Sequence, residues 1–351
     1  MRYYVLTTTK FADQCLKFQT YGSTNSNWLS NIELGDIVFI SQFNYKSQDI
    51  YGPFKVFESL FYDKKIIYPE QKYYYRIKIK PINLKSIEET DLYLQGIKNK
   101  NINFAFQLIN LIQQNKHLHS ISLTEEEGKF LLKTIDNYGK NIKDKKYDKN
   151  YTRNNGGSIK VDLKFLKDKN RLFKKSSFSS ESDLESYIML SLKNKNNKLF
   201  KDFSEILNSY PKNNLPASTV YNQFIFGNAY PSDIVIINDK NTNIFELKKD
   251  HLSSLMLEMI KREFKKYCYY SLYSRRLAIQ EKLEIKRRTN FFLVVLKQED
   301  QKFHKTISNE FKNITKPINN LRENNFNILE YYIANNELTL ATAIKDIKNY
   351  P

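Results

Sequence analysis

The chain has 351 residues, more than one ordinary core accommodates, so two domains of about 130 to 180 residues each are expected. Hydrophobic residues make up 41% and aromatics 14%, which excludes global disorder, and no apolar run approaches the roughly 20 residues of a membrane span, so the expectation is a soluble, cytoplasmic protein. Fifty-six Lys and Arg against 38 Asp and Glu give a net charge of +18, which favours a polyanionic partner, while Cys15 and Cys268 are too few for a disulfide framework or a cysteine zinc site.

Strand-like stretches come first: Tyr3 to Thr7, Asp36 to Ser41, Ile50 to Phe57 and Tyr73 to Lys80, separated by polar loops, with a barrel-like rhythm. Phe104 to His119 then puts Phe104, Leu108, Leu111, Ile112 and Leu118 on one helical face. Thr124 followed by three glutamates resembles a capping box opening a second helix that runs to about Tyr138. These elements predict an α+β first domain over 1–138.

From Lys140 to Lys175 there are 13 basic residues against four acids, an excess of +9 and half of the net charge. With Asn154-Asn155-Gly156-Gly157 inside it, 139–180 reads as a basic linker, either solvated or gripping phosphate, with Lys145, Lys146, Arg153, Lys174 and Lys175 as candidate nucleic-acid contacts. His117 and His119 have no matching ligand spacing, and His251 and His304 are expected in solvent.

Glu181 opens a helix with Leu184, Ile188 and Leu192 on one side, and another covers Leu199 to Leu207. Tyr221 to Phe226, Ser232 to Asn238 and Asn243 to Lys248 follow as strands, the last two joined by the turn residues Asp239 to Thr242. A long helix or helix pair from Leu252 to Lys286, a strand from Asn290 to Leu296, a helix from Lys302 to Leu321 and a strand from Asn327 to Ile333 complete the order αβββαβαβ. That order predicts an α/β domain over 181–351, with helices flanking a central mixed sheet.

Asp233 stands at the mouth of an otherwise apolar strand, where a buried carboxylate needs a partner. Twelve residues intervene before Glu246, which shares one face of the next strand with Lys248 because strand side chains alternate. Two carboxylates converging through a hairpin suit a hard divalent cation, Mg²⁺ or Mn²⁺. Glu185 on the preceding helix is the expected third acid, with Glu181 one turn earlier as the fallback.

A first-helix Leu-Glu, then Pro-Ser-Asp, then Glu-Leu-Lys, then a long helix resembles the PD-(D/E)XK nuclease superfamily, closest to the branch of archaeal mismatch-type endonucleases and RecB-like nucleases, over roughly 90 to 150 residues. The resemblance implies a restriction-endonuclease-like fold and a Mg²⁺-dependent endodeoxyribonuclease, with Asp233, Glu246, Lys248 and Glu185 catalytic and the three acids holding metal. In that branch a Gln four residues before a Tyr occupies the long helix; here the matching pair is Glu263 and Tyr267.

Trp28, the only tryptophan, lies in the polar stretch 25–31, where a ring can stack on an unpaired base. With Leu34-Gly35-Asp36 and Tyr51-Gly52-Pro53-Phe54, it resembles the PUA-like barrels of the EVE and YTH domains over about 1–137. That resemblance implies a pocket for a modified base in DNA or RNA, with Trp28, Asn31 and Tyr51 as wall residues. The combined expectation is a restriction-like nuclease acting on double-stranded DNA, as a homodimer if it cuts both strands. Its rivals are a mismatch-specific repair nuclease and a catalytically silent nucleic-acid-binding protein.

Overall fold

The computed structural model describes residues 1–43, 48–98, 102–142, 148, 151, 157–170, 177–210, 213–226, 231–272, 288–298, 302–315, 324–335 and 337–342. Two compact units share the chain, Met1–Val161 and Asp162–Pro351.

The first unit is built on a mixed sheet. β1 (Tyr3–Thr8) runs parallel to β3 (Ile37–Phe43) and antiparallel to β6 (Ser120–Leu123), and is buried along its whole length. β4 (Gln48–Tyr62) pairs with β3 and with β5 (Tyr75–Glu88), and β2 (Thr20–Ser23) closes the far edge against β5. Register shifts in β4 near Gly52, Val56 and Glu58 mark bulges that bend the two long strands.

Around the sheet lie α1 (Ala12–Phe18), α2 (Asn27–Ser30), α3 (Glu89–Lys98), α4 (Ile102–Gln114) and α5 (Glu125–Tyr138). The expected capping box opens α5: Glu127 N–H donates to Thr124 Oγ1 at 3.3 Å, and Thr124 N–H donates to Glu127 Oε2 at 2.8 Å. Helix α4 ends five residues short of His119. There the Asn115 side chain donates to the Leu111 carbonyl at 2.8 Å, satisfying a helix-end acceptor as the chain turns into β6, a strand the periodicity concealed.

Among the described residues, the expected linker contributes two short strands. β7 (Lys140–Asn141) pairs with β5 and β8 (Ile159–Lys160) with β4. Tyr151 is buried, its hydroxyl 3.0 Å from Arg76 Nη1 and 3.4 Å from Asp63 Oδ2. In the second unit, α6 (Leu163–Asn170) packs on α7 (Glu181–Leu192), and Lys169 Nζ donates to Asp183 Oδ1 at 2.8 Å. Sparse apolar anchors, Tyr151, Val161, Leu166 and Phe178, fix a segment whose average composition looks solvated.

The second unit carries a six-stranded sheet whose strands lie side by side in chain order. β9 (Thr219–Phe224), β10 (Ser232–Ile237) and β11 (Asn241–Leu247) form an antiparallel meander. β12 (Arg288–Leu296) and β13 (Asn324–Ala334) add in parallel, and the antiparallel edge strand β14 (Glu337–Thr342) was not expected. One face packs on α9 (Ser254–Leu272) and α10 (Lys302–Thr315) through Ile260, Phe264, Ile307 and Phe311 against Val235, Ile244, Phe291 and Leu293. The other carries α8 (Lys198–Asn208), with Phe203 5.2 Å from Phe245 and Phe245 stacked on Phe292 at 4.5 Å.

Asparagines set the parallel register. Asn243, Asn290 and Asn325 pair across three strands; Asn290 Nδ2 donates to Asn243 Oδ1 at 2.8 Å and Asn325 Nδ2 to Asn290 Oδ1 at 2.9 Å. A one-residue slip would strand these buried amides. His304 is a correction to the sequence expectation: it is fully buried on α10, its Nε2 3.7 Å from Glu330 Oε1, because its helical face is the apolar one. Among the described residues no helix is long and apolar enough to cross a membrane.

Candidate functional site

In the second unit the hairpin pairs Ile234 with Phe245, and just beyond that pair Asp233 reaches β11 through the Leu247 N–H. Alternation puts Asp233 with Val235 and Ile237 on the face that carries Ile244, Glu246 and Lys248, the face covered by α9. Glu185 arrives from α7, whose start is fixed by Ser180, the side chain of which accepts from Asp183 N–H at 3.1 Å. Glu185, Glu246 and Lys248 are buried at 2%, 4% and 3% exposure.

Lys248 Nζ donates to Glu246 Oε1 at 2.6 Å and lies 3.5 Å from Glu263 Oε2 on α9. Tyr267, one turn further along α9, donates its hydroxyl to Glu246 Oε2 at 2.9 Å. The Glu263/Tyr267 pair therefore does face the site, with a carboxylate where the resembling branch carries an amide. Asp233 Oδ2 accepts the Leu247 N–H at 2.8 Å. Gln223 Nε2 reaches two acids at once, Glu185 Oε2 at 2.8 Å and Asp233 Oδ1 at 3.3 Å. Gln223 was not anticipated; the signal in the sequence was a lone amide within the apolar stretch Tyr221 to Phe226.

The electrostatics are lopsided. Burial, and then the charges of Glu246 and Glu185, push the Asp233 carboxyl well above the usual range. Burial and Glu246 push Glu263 up to about 7. Glu181 is also raised, by burial first. Burial works against the Lys248 ammonium, but Glu246, Asp233, Glu263 and Glu181 outweigh it, so its pKa rises above that of an ordinary lysine.

Among the described residues no three His, Cys, Asp or Glu side chains stand close enough to hold an ion as they are. In kind, however, the donor set fits a hard divalent cation: carboxyl oxygens from Asp233, Glu246 and Glu185, with Glu263 and Glu181 near enough to act on the Lys248 ammonium.

The first unit holds a cavity of about 140 Å³. Phe11, Tyr21, Tyr68, Tyr73 and His119 supply aromatic walls, and Thr7 to Thr9 and Lys116 complete it. Tyr68 and Tyr73 meet edge to face at 5.4 Å, and Tyr73 meets His119 the same way at 5.2 Å. Gly22 permits this: a Cβ there would lie 2.8 Å from both the Tyr68 ring and Tyr73 Cβ. Burial drives the His119 pKa down to about 4, so the imidazole is neutral at physiological pH.

Trp28, Asn31 and Tyr51 do not line this cavity. Trp28 is partly buried on α2, its ring 6.2 Å from that of His119 and outside the cavity lining. Asn31 is buried and accepts from Arg2 Nη1 at 2.5 Å, while its carbonyl accepts the Tyr4 hydroxyl at 3.2 Å; it holds the N-terminus. Tyr51 lies on β4 with its hydroxyl 3.5 Å from Asp49 Oδ2. The walls come instead from segments 7–15, 21–22, 68–73 and 116–119, too scattered to form a motif. Lys145, Lys146, Arg153, Lys174 and Lys175 lie outside the described residues.

No family model matches the chain. No curated protein matches it either. Part of the chain is similar to solved structures. Human THYN1 protein in complex with 5-methylcytosine-containing DNA gives a TM-score of 0.29 at 18% identity, over 38% of this chain and 96% of that one. The DUF55 domain of human thymocyte nuclear protein 1 gives 0.28 at 17%, over 37% and 96%. The Mmi1 YTH domain in complex with RNA gives 0.28 at 12% identity, over 39% of this chain and 78% of that one.

Proposed function

We propose that the second unit is a metal-dependent phosphodiesterase of the PD-(D/E)XK kind, an endonuclease acting on DNA, and that the first unit reads a modified or flipped base. The carrying observation is the approach of Asp233, Glu246, Lys248 and Glu185 from a hairpin and a helix to one buried face, at the end of an antiparallel meander continued in parallel after a helix.

Asp233, Glu246 and Glu185 would hold Mg²⁺ or Mn²⁺. That cation supplies Lewis-acid charge to the phosphate and lowers the pKa of bound water. Lys248, kept protonated by four acids, offsets charge developing on phosphoryl oxygens rather than removing a proton. Tyr267 fixes the orientation of Glu246 through its hydroxyl. In the first unit, planar aromatic walls of alternating orientation and a neutral imidazole suit an uncharged heteroaromatic ring.

The test is digestion of DNA in Mg²⁺ or Mn²⁺ by the full chain and by Asp233→Ala, which is expected to lose its metal-dependent cleavage. Full cleavage by Asp233→Ala overturns the assignment. A panel of plain, mismatched and base-modified duplexes tests the reader, and equal cleavage of plain and modified DNA overturns it. One observation favours a silent nucleic-acid-binding protein: Lys248 and Tyr267 already occupy both oxygens of Glu246. Affinity for DNA with no hydrolysis under either metal would establish that reading.

A further inference from the structure

Gln223 is a neutral side chain that spans two carboxyl groups of the candidate site. Its Nε2 donates to Glu185 Oε2 at 2.8 Å and to Asp233 Oδ1 at 3.3 Å, so two acids on different elements share one nitrogen. The residue is 8% exposed and its backbone has φ 49°, the left-handed region that a glutamine adopts at a cost. β9 pairs Asn222 with Ile234 and Phe224 with Ser232, and from the left-handed position between them the Gln223 amide reaches Glu185 and Asp233.

Two buried carboxylates facing each other repel unless a positive charge or a donor stands between them. Lys248 does not fill that role, because its hydrogen bond goes to Glu246 and its next contact is Glu263. The two N–H groups of one amide do fill it. An amide that donates to both acids holds them in place and can yield them to a stronger partner.

We propose that the Gln223 carboxamide is a placeholder for the divalent cation: it bridges Glu185 and Asp233 in the metal-free protein and swings away when an ion binds. This rests on the metal-dependent reading above, and makes Gln223 a positioning residue that stabilises the empty site at the expense of metal affinity. A purely structural glutamine predicts the reverse, since its loss would disorder the acids and weaken binding. The two cases separate without any assay of hydrolysis.

The experiment is calorimetric titration of the full chain with Mn²⁺, together with thermal unfolding with EDTA and with saturating Mn²⁺, for wild type, Gln223→Ala and Asp233→Ala. Gln223→Ala is expected to lower Tm in EDTA and to bind Mn²⁺ about tenfold tighter, the fold-change of one lost hydrogen bond to a charged group. Its Mn²⁺-induced rise in Tm therefore exceeds that of wild type. Should Gln223→Ala fail to fold, Gln223→Gly, which suits φ 49°, takes its place. Unchanged or weaker Mn²⁺ binding by the variant, with wild type binding and Asp233→Ala not binding, overturns the placeholder and leaves the metal site standing. Binding of Mn²⁺ by neither wild type nor variant overturns the metal site itself.

Discussion

Each unit buries an ion pair, and the two pairs are built on different logic. In the first unit Arg76 is 1% exposed, and its guanidinium donates to Asp63 Oδ2 at 3.1 Å, to the Tyr73 carbonyl at 2.7 Å and to the Lys65 carbonyl, with the Tyr151 hydroxyl 3.0 Å away. One charge meets one charge, and neutral acceptors take the remaining N–H groups. In the second unit Lys248 contacts Glu246 and Glu263, with Asp233 and Glu181 adding to the surrounding negative potential. A closed buried pair holds a fold together, whereas the proposed function asks the unbalanced one to take a further cation. Burial alone does not distinguish them; the balance of charges does.

The largest expected effect breaks the closed pair. Arg76→Met leaves Asp63 buried without its guanidinium and should cost about 3–5 kcal/mol, with no recovery on adding Mn²⁺. Lys248→Met should cost about 3 kcal/mol in EDTA for the same reason. Added Mn²⁺ should restore much of that loss, because an ion can serve the acids the lysine has abandoned. Denaturant unfolding of both variants with EDTA and with Mn²⁺ checks the contrast. If Mn²⁺ rescues neither variant, the two pairs are alike and both are structural.

How much of this was legible follows the same division. Asp233, Glu246 and Lys248 lie within 16 residues on two adjacent strands, so period-2 alternation alone set them on one face, and the first-helix acid Glu185 was found by its place in the element order. The Asn ladder is not legible because the register between strands distant in sequence decides which amides meet, and β14 because a six-residue antiparallel edge strand carries little apolar pattern. The cavity of the first unit was not legible at all. Its walls come from four segments more than 100 residues apart at the extremes, and tertiary packing, not spacing, brings Tyr21, Tyr73 and His119 together. Trp28 drew attention by rarity, yet α2 carries it outside the lining.

The cavity differs from the cluster in how it should respond to pH. His119 has a folded pKa of about 4 against an ordinary value of 6.5, because burial disfavours its charged form. The unfolded chain therefore binds the proton more readily, and stability contributed by the neutral imidazole is complete above pH 6.5 and lost as pH falls from 6.5 towards 4. The full swing is about 3 kcal/mol, and His119→Gln should flatten that part of the stability curve relative to wild type. Chemical unfolding of both proteins at pH 7 and pH 4.5 measures the difference. Equal slopes would mean that the imidazole is wet and the cavity open.

The smallest effect bears on what the cavity holds. Tyr73 is partly buried and meets Phe11, Tyr68 and His119 edge to face, so its own ring faces are not all consumed by the core. Tyr73→Ala should weaken binding of a base-modified oligonucleotide by about 1–3 kcal/mol, the worth of one base on one ring, while leaving plain-DNA affinity unchanged. Affinity for plain DNA comes from phosphate contacts and falls with salt, whereas the stacking contribution does not. Titrations at two salt concentrations thus separate the two terms. A Tyr73→Ala variant that loses plain and modified DNA equally would place the ring in the fold rather than against a base, and the cavity would then join Arg76 and Asp63 as architecture.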